Sequence, residues 1–438
     1  MKQSILSKDG VSYVVPFILI TSCFALWGFA NDITNPMVKA FSKIFRMSAT
    51  DGALVQVAFY GGYFAMAFPA AMFIRRYSYK AGVLVGLGLY ALGAFMFYPA
   101  KMTGEYYPFL IAYFILTCGL SFLETSSNPY ILSMGTEETA TRRLNLAQSF
   151  NPMGSLLGMY VAMNFIQAKL NPLDTASRAD LTPAEFEAVK EYDLSVLIGP
   201  YLAIGLVILA MFMLILFWRM PKNGDKNHNI DFVPTLRRIF AMPHYREGVI
   251  AQFFYVGVQI MCWTFIIQYG TRVLMADGMA EQAAEVASQQ YNILAMIIFC
   301  CSRFICTFLL RYVNTGRLLM VLAIVGGLLV VGVIGLQNIY GLYCLVGVSA
   351  CMSLMFPTIY GIALTGLGDD AKFGAAGLIM AILGGSVLPP FQAAIIDQGE
   401  LMGMPAVNVS FILPFVCFVV IAIYGHRTFL RSKGQLGG

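Results

Sequence analysis

Charged and catalytic residue types are scarce in this sequence. Lys, Arg, Asp and Glu make up 12% of its 438 residues, against about 25% in a typical soluble domain. The sequence holds three histidines and no GxxxxGK[ST] loop, HExxH pair or GxSxG elbow. These absences argue against an ATPase, a zinc hydrolase and a serine hydrolase. We therefore expect a protein that is not an enzyme and that carries no cofactor.

The nine cysteines suggest no chemistry either. All of them lie inside apolar runs, and their spacings match neither a metal site nor a disulfide framework in loops. We expect small buried side chains and no bound metal. The net charge of +5 comes from basic residues spread over short loops, which gives no patch for nucleic acid.

Long apolar runs are what the sequence has in abundance. It is 58% hydrophobic and its mean hydropathy is +0.72. A helix of about 20 apolar residues spans a bilayer, and twelve runs of that kind predict an all-α polytopic membrane protein. The predicted spans lie near 13–34, 52–74, 81–100, 107–133, 145–168, 196–218, 248–272, 288–310, 318–336, 340–364, 372–396 and 408–430. The first run lacks a cleavage site of small residues, which predicts a retained helix.

A basic stretch with three prolines divides the spans six and six. We predict an N-terminal six-helix bundle over 1–220, a cytoplasmic linker over 221–247 and a C-terminal six-helix bundle over 248–438. Similar basic turns follow spans 2 and 8, which favours an internal repeat. If both termini lie on one side, that side carries more than twice as many Lys and Arg residues as the other. The termini are therefore predicted to be cytoplasmic.

Two acids, Asp32 and Glu124, lie inside predicted spans, and Arg303 is the other charge that lies there unambiguously. A carboxylate near the membrane interior costs several kcal/mol unless it is protonated, paired or hydrated, so both acids are candidates for reversible protonation. Asp32 could instead be an acid at the headgroup level, and Glu124 a structural carboxyl bonded to another helix. Arg303 fits an anchor near a helix end, or a partner for an acid at a gate.

Amide side chains accompany the acids. Asn31 and Asn35 lie within one helical turn of the acid in span 1, and Asn145, Gln148 and Asn151 recur every third residue along span 5. An amide both donates and accepts, so it can bind hydroxyl groups without adding charge. Hydrogen bonds between helices would explain the same residues.

Aromatic residues occur beside amides in the second half of the chain. Gln259 and Trp263 are four residues apart in span 7 and share a helical face. An indole ring against the C–H face of a sugar, beside an amide for its hydroxyls, is a reasonable carbohydrate site. Phe356 precedes Pro357 in span 10, where packing and a kink would be equally good explanations.

Six segments follow one another along the chain: AFYGGYF (58–64), SYKAG (78–82), FLETSSNP (122–129), LNLAQSFN (144–151), YVGVQIMCW (255–263) and FPTI (356–359). With the twelve spans, they resemble the fucose–proton symporter family of the major facilitator superfamily over nearly the whole chain. The resemblance implies two six-helix bundles, a central sugar cavity and alternating access driven by protons. It also implies proton coupling and sugar binding at Glu124, and matches Gln148, Asn151 and Gln259 to amides of the family.

Two positions depart from the family pattern. The family's fucose transporter has its span 1 acid where this chain has Asn35, so Asp32 stands one helical turn earlier. It also has a tyrosine before the proline of span 10, where this chain has Phe356. The missing hydroxyl opens the choice of sugar to glucose, galactose, mannose and N-acetylglucosamine.

We therefore expect a proton-coupled symporter that imports a monosaccharide, L-fucose or a related hexose, across a bacterial inner membrane. Its partners would be the sugar, protons and the lipid bilayer, and we expect a monomer. Asp32 and Glu124 would carry protons. The expected substrate-binding residues are Asn31, Asn35, Gln148, Asn151, Gln259, Trp263 and Phe356.

Two other functions remain open from the sequence. A proton-linked exporter of amphipathic compounds would have a cavity rich in Phe and Met, and the chain holds 34 Phe and 25 Met. A nutrient sensor that no longer transports would normally carry a cytoplasmic output domain, and the predicted loops and tails are short.

Overall fold

The computed structural model describes residues 6–8, 11–34, 37–47, 54–173, 177–178, 180–222, 232–401 and 403–434. Helices make up nearly all of this part of the chain. Two short antiparallel strand pairs accompany them: β1 (Ser7–Lys8) with β2 (Val11–Ser12), and β3 (Glu400–Leu401) with β4 (Met404–Pro405).

The α-helices are α1 (Val14–Thr34), α2 (Met37–Ile44), α3 (Leu54–Arg76), α4 (Tyr79–Thr103), α5 (Tyr107–Ser133), α6 (Ala140–Gln148), α7 (Asn151–Val161), α8 (Pro183–Phe217), α9 (Phe232–Ala241), α10 (Pro243–Ala276), α11 (Glu281–Leu309), α12 (Thr315–Gly335), α13 (Ile339–Met352), α14 (Met355–Leu364), α15 (Ala371–Met380), α16 (Gly384–Ile396), α17 (Ala406–Ser410) and α18 (Ile412–Ser432). Each of the twelve predicted spans coincides with one of these helices or with consecutive ones. Within the described residues, ten helical segments are long and apolar enough to cross a membrane.

Some predicted spans are interrupted helices. Span 5 consists of α6 and α7 and continues as a π-helical turn, Ala162–Ile166. Span 10 is divided between α13 and α14, and span 11 between α15 and α16. By contrast, α5 runs without a break through Pro129.

The chain forms two compact units. The described residues within Leu6–Met134 and Phe150–Ile230 form one, which we call the first unit. Inside it α4 packs on α5 and α8, α3 packs on α5, and α1 packs on α7. The predicted division at residues 220 and 247 stays a prediction, and residues 223–231 of the linker lie outside the described residues.

The second unit comprises the described residues within Gly135–Ser149 and Asp231–Gly438. Inside it α12 packs on α13 and α18, α11 packs on α13, and α10 packs on α16. Its apolar core surrounds α10, with side chains from α12, α13 and α18. Buried apolar surface is here shared among helices that each keep another face for lipid.

The same four pairings occur in both units. In the first unit, span 3 packs with spans 4 and 6, span 2 with span 4, and span 1 with span 5. In the second unit, span 9 packs with spans 10 and 12, span 8 with span 10, and span 7 with span 11. Adding six to every span of the first set gives the second set. The internal repeat that the basic turns suggested is therefore present in the helix packing.

Glycine allows one crossing of this repeat to form in each unit. A Cβ atom at Gly154 of α7 would overlap the carbonyl oxygen of Ala25 on α1, and one at Gly384 of α16 would overlap that of Phe253 on α10. Small residues let helix backbones approach this closely. The crossing of α1 with α7 positions two of the predicted site residues, Asp32 and Asn151.

Candidate functional site

Glu124 lies in the middle of α5 and is 4% exposed. The hydroxyl of Tyr63, on α3, donates a hydrogen bond to its Oε1 atom at 2.8 Å. Tyr63 is itself buried. The acid that the sequence singled out most clearly is therefore enclosed by protein and hydrogen-bonded to a second helix.

Two contacts between α3 and α5 hold Tyr63 next to Glu124. The hydroxyl of Ser121 donates to the backbone oxygen of Tyr63 at 3.2 Å, which joins the same two helices one turn away. At Gly62 a Cβ would lie 2.8 Å from the Cβ of Thr117, so only glycine permits this approach. Tyr63 lies within the AFYGGYF segment, but nothing in the sequence alone indicates that it meets Glu124.

Further polar groups of α5 surround the acid. The amide of Asn128 donates to the backbone oxygen of Glu124 at 3.0 Å. The hydroxyls of Thr125 and Ser127 are buried and have no hydrogen-bond partner among the described residues. Buried hydroxyls are normally paired with protein or water, so these two are available to water or to a bound polar molecule.

Asp32 lies near the end of α1 and is half-buried. It interacts electrostatically with the phenol of Tyr60, on α3. The Oδ1 atom of the neighbouring Asn31 is buried without a partner in the described part of the chain. Asn35, the third predicted residue here, lies outside the described residues.

Gln148 and Asn151, predicted to lie along one span, belong to two separate helices. α6 ends at Gln148, α7 begins at Asn151, and Ser149 bonds the carbonyl of Asn145 through its hydroxyl at 2.8 Å. The amide of Asn151 donates to the backbone oxygen of Phe24, on α1, at 3.1 Å. In this structure Asn151 therefore joins two helices of the first unit, which is the structural alternative that the sequence left open.

Arg303, on α11, binds two backbone carbonyls in the second unit. Its Nη1 atom donates to the oxygen of Gln148 at 3.0 Å, and its Nε atom donates to the oxygen of Ser353. A helical carbonyl normally accepts from the N–H four residues later. Those later residues are Pro152 and Pro357, and proline has no N–H. One guanidinium thus satisfies both carbonyls that prolines leave open.

This arrangement differs from the helix-end anchor that the sequence suggested. A headgroup anchor would extend towards water, whereas this side chain is 4% exposed and stacks over the ring of Phe299 at 4.5 Å. The breaks between α6 and α7 and between α13 and α14 both lie at its hydrogen bonds. A gating role for Arg303 stays a prediction.

The predicted pair in span 7 lies on α10 in the second unit. The indole nitrogen of Trp263 donates to the hydroxyl of Ser349, on α13, at 3.2 Å. Its ring meets that of Phe299 edge-on at 4.9 Å, which leaves the indole half-buried and fixed in orientation. Gln259 is also half-buried, one turn away on the same helix.

Phe356 lies between two tyrosines. Its ring centroid is 6.1 Å from that of Tyr255, edge-on, and 6.1 Å from that of Tyr360, stacked. Two residues away, the hydroxyl of Thr358 accepts from the amide of Asn145 at 3.2 Å. Span 5 and span 10 are thus joined by this bond as well as by the arginine.

Known proteins are similar to this chain over most of its length. A family model described as Major Facilitator Superfamily matches residues 20–389. The L-fucose-proton symporter of Haemophilus influenzae is 52% identical over 99% of this chain and 100% of its own length. The glucose/galactose transporter of Brucella abortus is 29% identical over 93% of this chain and 92% of its own.

A solved structure is similar over almost the same range. The crystal structure of a variant of the Escherichia coli fucose:proton symporter superposes with a TM-score of 0.86 at 31% identity, covering 95% of this chain and 99% of that one. The predicted all-α fold with twelve transmembrane helices is confirmed by this match and by the family model.

Proposed function

We propose a function from the premise that the chain belongs to the major facilitator superfamily: it is a proton-coupled symporter that imports L-fucose or a closely related hexose by alternating access. The observation that carries this conclusion is the 52% identity to an L-fucose-proton symporter over the full length of both chains. The chain is accordingly a transporter and not an enzyme.

The buried acid supplies the proton chemistry. Glu124 is enclosed on α5 and its carboxyl contacts the Tyr63 phenol. An ionised carboxylate at this depth is costly, and protonation removes most of that cost while the site is closed to water. Proton and sugar would therefore cross together, since the protonated carrier passes the closed state most easily. Asp32, less buried, would exchange its proton with solvent more readily.

Amides and an indole would bind the sugar. Asn31 has a buried amide oxygen without a partner among the described residues, and Gln259 lies beside the fixed ring of Trp263. Such groups match a molecule that presents hydroxyls on its edge and C–H groups on its face. We further propose that Gln148, Asn151, Asn35 and Phe356 contribute to this binding and that Arg303 maintains the helix breaks.

The choice among hexoses follows from a second observation. A relative named as a glucose/galactose transporter is 29% identical over 93% of this chain, and Phe356 offers no hydroxyl next to Pro357. L-Fucose remains the first candidate because the more similar relative carries that name. Glucose and galactose are the second.

We propose the bacterial inner membrane as the location, with both termini in the cytoplasm and the protein acting as a monomer in the bilayer. The six-helix bundles would comprise 1–220 and 248–438, joined through 221–247. Several helical segments of the described residues have the length and composition to cross that bilayer.

Uptake into proteoliposomes tests the function. Purified protein is reconstituted, an inward proton gradient is imposed, and labelled L-fucose is offered with unlabelled fucose, galactose, glucose or mannose as competitors. We expect accumulation that a protonophore abolishes and that unlabelled L-fucose suppresses most strongly. Liposomes without protein, and a sodium gradient in place of the proton gradient, are the controls.

The same assay separates the alternatives. Extrusion of a lipophilic cation without uptake of any hexose would favour the exporter. Sugar binding without counterflow of labelled sugar would favour the sensor. Suppression by galactose or glucose but not by L-fucose would move the substrate to the second candidate.

A further inference from the structure

The proposed symport requires Glu124 to release its proton after the sugar has crossed. Tyr63 is the side chain whose hydrogen bond to this carboxyl the structure shows, at 2.8 Å between the phenol oxygen and Oε1. None of the predicted site residues comes from α3, the helix that carries it. The contact therefore adds a residue from another helix to the proton site.

Resting on the proposed function, we infer that Tyr63 is a positioning residue for proton coupling. Its phenol donates to the ionised carboxylate of Glu124 and so determines how readily that group gives up its proton to the cytoplasm.

The chemistry of the pair follows from its donors and acceptors. An ionised carboxylate only accepts hydrogen bonds, and the phenol can supply one. A hydrogen bond to the charged form stabilises that form relative to the neutral acid. No proton moves from the tyrosine in this scheme: the phenol keeps its proton in both states, and the proton bound by Glu124 leaves to water.

The backbone holds the phenol in place independently of the bond itself. Ser121 joins α5 to the backbone oxygen of Tyr63, and the absence of a side chain at Gly62 brings α3 against Thr117 of the same helix. The donor is thus preorganised, so little ordering cost accompanies each ionisation of the acid. A phenol held only by its own hydrogen bond would contribute less.

Other titratable groups surround the pair. Tyr60 on α3 and Tyr90 on α4 lie near Tyr63, and Asp32 on α1 lies near Tyr60. The remaining formal charges on the helices that pack against α5 lie at helix ends: Arg75, Arg76, Lys80 and Lys101. Tyr60 and Tyr63 are three residues apart and share a face of α3.

The experiment compares Tyr63→Phe with Tyr113→Phe in the full-length protein reconstituted in liposomes. Tyr113 is a matched control, because it is also buried in the first unit, lies on α5 and loses one phenol hydrogen bond, here to the hydroxyl of Tyr201. Two rates are measured with labelled L-fucose: counterflow as a function of pH with equal pH on both sides, and accumulation under an inward proton gradient.

For Tyr63→Phe we expect the alkaline limb of the counterflow pH profile, where the rate falls as pH rises, to move to higher pH by about one unit. The loss of one hydrogen bond to a charged group produces a shift of this size. Accumulation should fall about tenfold while counterflow at acidic pH stays near that of the wild type, because binding and exchange need no proton release. Tyr113→Phe should leave the pH profile unchanged.

A second variant keeps the test sharp if Tyr63→Phe is poorly folded. A fluorinated tyrosine at position 63 is a stronger donor of the same shape, and should move the alkaline limb downward. The inference is overturned if neither substitution at 63 moves the limb, or if Tyr113→Phe moves it equally. A wild-type protein that accumulates no hexose under the gradient would instead overturn the proposed function.

Discussion

At the scale of single residues, Glu124 was predictable because a carboxyl inside an apolar run is costly and therefore rare. Tyr63 was not, because a tyrosine in a membrane span is ordinary and its value arises only where α3 meets α5. The same holds for Arg303: its charge was visible in the sequence, but the two carbonyls that it binds belong to residues 155 and 50 positions away. Chemical type was predictable, and the partner was not.

Replacing Glu124 by glutamine mimics the protonated acid permanently. Glu124→Gln should keep counterflow of labelled sugar within about threefold of the wild type and lose accumulation under a proton gradient, since an amide neither binds nor releases a proton in this range. The matched control is Glu105→Gln, an exposed acid just before α5, which should leave both rates unchanged. Full proton-driven accumulation by Glu124→Gln would show that coupling does not depend on Glu124.

Gln252, on α10, is fully buried, and neither end of its amide has a hydrogen-bond partner among the described residues. Leaving a buried amide unpaired costs about 1–3 kcal/mol. Gln252→Leu, of similar volume, should therefore raise the free energy of unfolding in mixed detergent micelles by about 1 kcal/mol.

Gln392→Leu is the comparison for this change. Gln392 is equally buried, but its amide nitrogen donates to the hydroxyl of Ser410 at 3.1 Å. Its replacement should lower stability, because the bond is lost and the serine loses a partner. Equal losses from the two variants would mean that the amide of Gln252 is satisfied in the membrane by water or substrate.

At the scale of helices, apolar length predicted where each span lies but not where it is interrupted. The window that finds a span averages over about 20 residues, while a break depends on one or two hydrogen bonds. Pro129 and Pro357 looked alike in the sequence. α5 continues through the first, whereas the chain breaks just before the second. The difference lies in an arginine from a distant helix that binds the carbonyl opened by Pro357.

This account predicts energetic coupling between Arg303 and Pro357. Arg303→Met should destabilise the protein, because it leaves the carbonyls of Gln148 and Ser353 without their donor. Pro357→Ala restores an N–H four residues after Ser353. In that background Arg303→Met should cost at least about 1 kcal/mol less, measured as a double-mutant cycle on the free energy of unfolding.

Pro99→Ala provides the reference background. It supplies an N–H at a proline position inside α4, in the first unit. The carbonyl that this N–H would bind is not one that Arg303 contacts. The cost of Arg303→Met should therefore be the same in that background as in the wild type. Equal costs in all three backgrounds would mean that the bond to Ser353 contributes nothing measurable.

At the scale of the whole molecule, the helix pairing repeats with an offset of six spans, and this was predictable only in outline. The basic turns after spans 2 and 8 indicated the repeat because positive charge marks corresponding loops. The glycine crossings could not be located in advance, since the chain holds 41 glycines and only the packed structure shows which of them lie against a backbone. Composition thus predicts the number of helices, and close contacts select their neighbours.

The predicted orientation is tested by reporter fusions in a bacterial inner membrane. Alkaline phosphatase is active only outside the cytoplasm, so fusions after Leu173 and Gln337 should be active, and those after Thr136, Lys222 and Asp369 inactive. Green fluorescent protein at the C-terminus should fluoresce. The physical reason is the excess of Lys and Arg in the loops predicted to be cytoplasmic, which resist translocation.

The pair of fusions after Thr136 and Leu173 is the most informative, because it flanks span 5. That span is built from α6, α7 and a π-helical turn, and it is not among the ten segments of the described residues that are long and apolar enough to cross a membrane. Opposite activities would show that it crosses the bilayer, its open carbonyl at Gln148 covered by Arg303. Equal activities would mean that span 5 does not cross, and the positions of all later loops would then be reversed.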